Sequence, residues 1–109
     1  MKTELPAPIA GFFQAHNSGM TDNFLDLFTA DAVVIDEAHE YRDDAIKTWI
    51  DSAIANYHPL HGEVISLLPD GCQTVATAQV SGSFPGSPVQ LHYQFTLRDG
   101  KIAALSIAP

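Results

Sequence analysis

From Val89 to Leu97 the chain alternates without a break. Val89, Leu91, Tyr93, Phe95 and Leu97 share one parity, and Gln90, His92, Gln94 and Thr96 share the other. Successive side chains of a strand point to opposite faces, so this segment reads as a strand with one buried and one polar face. Three turn signals surround it: Pro69-Asp70-Gly71, Pro85-Gly86-Ser87-Pro88 and Asp99-Gly100. They separate apolar runs at about 60–68, 72–84, 89–98 and 101–108. The connections are too short for crossover helices, so these strands are expected to pair antiparallel.

The first half has a different period. Leu5, Ile9, Phe12, Phe13 and His16 recur near 3.6 residues. Pro6 and Pro8 suit the start of this first helix, where a missing N–H costs nothing, and Gly19 suits a left-handed cap at its end. Thr21 is placed to cap a short second helix carrying Phe24, Leu25, Leu27 and Phe28. A β-branched strand follows over Ala32 to Asp36, with His39–Arg42 as a short partner strand. Asp43 or Asp44 then caps a third helix, with Ala45, Ile46, Trp49, Ile50, Ala53, Ile54 and Tyr57 on one face and Pro59 as its stop. Helices followed by an antiparallel meander mean α+β. A curved sheet wrapped on three helices would enclose a cone lined by Phe12, Trp49, Tyr93 and their neighbours, either a filled core or a pocket.

The length, 109 residues, fits one domain over 1–109. A net charge of -8 argues against nucleic acid, because phosphates are bound by Lys and Arg. The cations Lys2, Arg42, Lys47, Arg98 and Lys101 form no run. The acids between Asp31 and Asp44 read as a solvated, solubilising loop, without the alternation or mid-loop Gly of a calcium site. The longest aliphatic run, Ala32 to Ile35, cannot span a bilayer, and the opening residues lack the apolar stretch of a secretion signal. A cytoplasmic protein without membrane association is therefore expected. The one cysteine, Cys72, excludes an internal disulfide and reads as a buried structural thiol. His58 and His61 flank Pro59 and cannot share a helix face, so neither metal nor cofactor is expected. No Gly-rich phosphate loop or nucleophile elbow is present.

Asp36 is the most informative polar residue. It shares strand parity with Ala32 and Val34. If that parity faces the cone, a carboxylate stands in apolar surroundings. Burial disfavours the charged form, as suits a general acid or base near neutrality. Alternatively Asp36 merely ends its strand beside Glu37. Tyr93 lies on the apolar face of its own strand, either as ordinary core or as a donor to a ligand oxygen.

Three stretches carry a resemblance. Ala15 to Asp36, "AHNSGMTDNFLDLFTADAVVID", resembles the opening of the nuclear transport factor 2-like (cystatin-like) superfamily, and especially its SnoaL-like and ketosteroid-isomerase-like members. Asn17, Gly19, Leu27, Phe28, Ala30, Asp31 and Ala32 stand where that pattern wants them. "YRDDAIKTWI" resembles the start of the family's third helix, with Asp43 in place of the usual Gly, and "FTLRDGKIAALSI" resembles its closing hairpin. The resemblance implies a cone of three N-terminal helices on a strongly curved mixed or antiparallel sheet, often a homodimer through the sheet. The polar outer parity at His92 and Gln94, and the small core available to an 11.8 kDa cone, also suit such pairing.

It further implies that Asp36 falls on the general base of the isomerases. Their oxyanion-donating tyrosine falls on Phe12, so that donor is missing here, and their second donor falls on Tyr93. The expected site is thus Asp36 and Tyr93 as catalytic pair, with Phe12, Phe13, Val34, Trp49, Ile50, Leu91 and Phe95 lining a pocket for a small apolar molecule. The implied function is proton transfer of isomerase or cyclase type on a carbonyl-bearing substrate. The alternative is a non-catalytic ligand-binding or protein-interaction module on the same fold.

Overall fold

The computed structural model describes residues 5–71 and 73–109. Cys72, and with it the expected buried thiol, lies outside the described residues, as does Lys2. The first helix, α1 (Ala7–Ser18), begins after Pro6 with Pro8 in its first turn and ends on Gly19 at φ 77°, the left-handed cap that glycine adopts without steric cost. Strand β1 (Phe28–Asp36) and strand β2 (His39–Arg42) form a hairpin. Helix α2 (Asp44–Asn56) follows, and then β3 (His61–Asp70), β4 (Gln73–Ser81), β5 (Val89–Arg98) and β6 (Lys101–Ala108).

The six strands make one sheet in the order β2-β1-β6-β5-β4-β3. All neighbours are antiparallel except β1 and β6, which run parallel. Register shifts at Phe28/Val33, Val64/Ser66 and Thr96/Leu97 mark bulges, which bend a sheet and strengthen its twist. The Asp99-Gly100 turn has both residues at positive φ, as a two-residue hairpin loop needs. The core lies between helices and sheet. Ile9, Phe12, Phe24, Ile46 and Ile50 meet Val34, Ala76, Phe95, Ile102 and Leu105, all at most 2% exposed. Among the described residues no helix is long and apolar enough to cross a membrane.

Two expectations are corrected. Among the described residues there are two α-helices, not three. The expected second helix is a single 3-10 turn, Phe24–Leu27, and Phe28 already opens β1. Four residues are too few to sustain α-helical bonding, and Phe28 is claimed by its pairing with Ile102 of β6. Thr21 does not cap this turn with its side chain. It is buried, and its Oγ1–H donates to Asp51 Oδ1 of α2 at 2.5 Å. Asp51 also accepts from Lys47 Nζ at 2.8 Å, and these two donors, Lys47 first, hold its carboxyl below the usual range.

Asp43 occupies the N-cap position of α2 but makes no side-chain capping bond. Its backbone sits at φ 52°, ψ -132°, a region that L side chains avoid and glycine does not. The family-like glycine would fit this place. Asp43→Gly is expected to stabilise the domain by about 1 kcal/mol, the relief of backbone strain less the extra chain entropy that glycine loses. A denaturant midpoint unchanged or lowered in the variant would contradict this.

Candidate functional site

Asp36 is the last residue of β1, on the same parity as the buried Ala32 and Val34. Two residues, Glu37 and Ala38, turn the chain into β2, both at positive φ (52° and 65°). The turn therefore releases the Asp36 side chain at the end of the sheet, above the core. One turn into α2, Trp49 lies across from it, and its Nε1–H donates to Asp36 Oδ2 at 3.0 Å. The indole is held in place by Phe12, stacked at 6.3 Å, and by Tyr41 at 6.0 Å. Asp36 Oδ1 has no hydrogen-bond partner among the described residues.

Between α1, α2 and the sheet lies an open cavity of about 700 Å³. Asp36, Trp49, Ile50, Leu91 and Tyr93 line it, over a floor formed by Phe12. Ala53, Leu60, Val80, Phe84 and Val89 complete its apolar wall. Asp36 and Glu37 bring carboxylates to it, and no Lys or Arg side chain lines it among the described residues. A groove of about 350 Å³ adjoins it past Trp49 and shares Asp36 and Glu37.

Tyr93 is 3% exposed. Its ring is enclosed by Phe13 at 5.0 Å, Phe12 at 5.9 Å and Phe95 at 6.3 Å. Its hydroxyl makes no hydrogen bond to a described residue. Burial, and after it the negative charge of Asp36, pushes the phenol well above its ordinary range. Tyr93 thus shares the cavity with the Asp36 carboxylate and keeps an O–H that no described residue accepts.

Three residues expected to line the pocket do not. Phe13, Val34 and Phe95 are 4%, 0% and 0% exposed and lie in the core beneath the cavity. Their parity is inward, but parity does not fix depth along the cone: Phe95 is one inward step further from the open end than Tyr93, and Val34 one step further than Asp36. Phe12 is itself fully buried, and the cavity floor is an apolar ring.

His16 was not singled out by its sequence pattern and belongs to this site. It sits one turn after Phe12 on α1, is 5% exposed and lines the cavity. Its Nδ1 is 2.8 Å from Asn17 Oδ1. Burial, the dominant cause, lowers its pKa from 6.5. Among the described residues no three His, Cys, Asp or Glu side chains cluster as metal ligands.

The model of the SnoaL-like domain matches residues 9–105, which includes every element that builds the cavity walls named above. The chain belongs to the SnoaL-like domain family. This SnoaL-like domain is 38% identical to a candidate polyketide cyclase from Sinorhizobium meliloti, with 95% of each chain covered and a TM-score of 0.90. A ketosteroid isomerase-like protein from Catenulispora acidiphila, solved with trimethylamine, shares the fold at 17% identity, 97% and 87% coverage and a TM-score of 0.84. IdmH from Streptomyces antibioticus, also a candidate polyketide cyclase, does so at 20% identity, 96% and 91% coverage and a TM-score of 0.76. No curated protein matches the chain.

Proposed function

We propose that this SnoaL-like domain moves a proton at a carbon beside a carbonyl, on a neutral, largely apolar small molecule held in the cavity. The observation that carries this reading is the pairing of Asp36 with Tyr93. A carboxylate with one oxygen steadied by Trp49 and the other unpartnered among the described residues shares the cavity with a phenol that keeps its proton and has no acceptor among them. Asp36 Oδ1 takes the α-proton, the bonding pair shifts onto the carbonyl oxygen, and Tyr93 donates to that oxygen as its charge develops. Return of the proton from Asp36 to a different carbon of the conjugated enolate completes an isomerisation, while attack by the carbanion on a second carbonyl forms the ring bond and an alkoxide that takes the proton back from Asp36, giving a cyclisation. The Sinorhizobium meliloti relative, described as a candidate polyketide cyclase, supports this class of chemistry. The acidic rim supports neutrality of the substrate, since an anion would enter against Asp36 and Glu37 with no Lys or Arg among the described lining residues to receive it.

The test is proton exchange. 2-Tetralone, a neutral bicyclic ketone, is incubated with the protein in deuterated buffer and its α-protons are followed by NMR. Acceleration over buffer is expected. Tyr93→Phe should slow it by roughly 10²-fold, the worth of one oxyanion donor. Its stability should change by less than about 1 kcal/mol, because the lost hydroxyl bonds no described residue. Saturable binding of tetralone with no exchange would instead establish a binding module.

A further inference from the structure

Asn17 is pinned in one orientation. Its Nδ2 donates to Gly62 O at 2.9 Å and its Oδ1 accepts from Gly62 N–H at 2.7 Å. Exchanging amide oxygen and nitrogen would set donor against donor and acceptor against acceptor, so the assignment follows from the backbone of β3. Oδ1 is then the atom that faces His16 Nδ1 at 2.8 Å, and an amide oxygen only accepts. The Nδ1 position therefore carries the proton. In a neutral ring the lone pair is left on Nε2. Burial outweighs the opposing effect of the Asn17 hydrogen bond and, with His61 adding to it, favours that neutral ring.

Nothing among the described residues uses the lone pair. No described residue donates to Nε2, yet no buried polar side-chain atom among the described residues is left without a partner. Nε2 is therefore not sealed off, and this 5% exposed ring borders the cavity. The ring is fixed from three sides: Phe12 at 6.1 Å, Phe13 at 6.0 Å, and Gly62, where an added Cβ would lie 3.3 Å from Cε1.

We propose that His16 is a ligand-contacting acceptor whose Nε2, aimed by the Asn17–Gly62 clamp, receives the hydroxyl proton of a ligand bound in the cavity. This rests on the cavity being a small-molecule site, as proposed above, and adds a requirement to it. The ligand carries a hydroxyl as well as the carbonyl that Tyr93 serves, with an apolar frame between them along Phe12. A ligand with its hydroxyl capped leaves Nε2 unpaired against apolar surface and is selected against.

The probes are 2-naphthol and 2-methoxynaphthalene, alike in frame but with the hydroxyl capped in the second. Calorimetry on the wild type is expected to show naphthol binding about five- to tenfold tighter. His16→Phe should bring that ratio close to one, and His16→Gln, which keeps an acceptor, should restore part of it. A second readout uses the wild type alone. In ¹⁵N NMR, the Nε2 resonance of His16 should shift on adding naphthol and stay put with methoxynaphthalene. A naphthol preference that survives His16→Phe but disappears in Asp36→Asn would make Asp36 the acceptor and overturn the assignment, as would an Nε2 resonance indifferent to naphthol. Failure of tetralone exchange with the naphthol pattern intact would remove the proton-transfer reading and leave His16 in place. Failure of both naphthalenes to bind would remove the small-molecule site on which both readings stand.

Discussion

Asp36→Asn is expected to lower tetralone exchange by about 10²- to 10⁴-fold, the usual contribution of a positioned general base, while leaving the fold in place. The substitution keeps size and shape. An amide oxygen can still accept the Trp49 N–H that now reaches Asp36 Oδ2 at 3.0 Å. What disappears is the capacity to take a proton from carbon. Stability should therefore change by no more than about 1 kcal/mol, the net worth of one altered hydrogen bond. A spectroscopic signature accompanies the loss. The negative charge of Asp36 is the second cause, after burial, of the raised Tyr93 phenol. Removing it should move the titration of Tyr93 downward but not back to an exposed phenol, because the burial remains. Exchange rates and ultraviolet tyrosine titration of wild type and variant check both effects. Undiminished exchange in the variant would take Asp36 out of the chemistry. A collapse of stability by several kcal/mol would make it a structural residue.

Phe12→Ala has the largest expected effect on the fold, a loss of about 3–5 kcal/mol. Phe12 is 0% exposed and is the hub of the aromatic core. Its ring centroid lies 5.1 Å from Phe13, 5.5 Å from Phe95, 5.6 Å from Phe24, 5.9 Å from Tyr93 and 6.3 Å from Trp49. Truncation leaves a void under the cavity floor and unseats the ring on which Trp49 stacks. Domains of this size are stable by only about 5–15 kcal/mol, so the variant should melt far below the wild type and give up much of its margin. The check is a pair of urea melts. A loss under about 1 kcal/mol would mean that Phe12 is a loose liner and not the keystone of the core.

Much of the sheet was legible because its signals are local. The alternation at 89–97, the Asp99-Gly100 turn and the proline-glycine punctuation each act over a few residues, and β5 and β6 begin and end where those signals place them. The stretch from Phe28 to Asp31 was not legible as strand, since its strand character comes from β6, far along the chain. The strand parity of Asp36 and Tyr93 could be read, and the structure puts both on the cavity. Periodicity could not say that Phe13, Val34 and Phe95 lie too deep to reach it. His16 looked like one more member of an apolar stripe. The adjacent Asn17 was the available clue, but its meaning depends on Gly62, which only the fold brings alongside.

The parallel seam between β1 and β6 has a consequence for the order of assembly. Val34 and Leu105 are register partners although about 70 positions separate them. Hairpins such as β5–β6 can close quickly, because little chain entropy is lost in joining near neighbours. The β1 seam must wait for the longest loop closure in the sheet, and such high contact order slows folding. Asp36 rides at the end of that seam. The meander can therefore be in place before the carboxylate is seated, and the ribosome must have delivered the chain through β6 before the cavity end of the sheet exists.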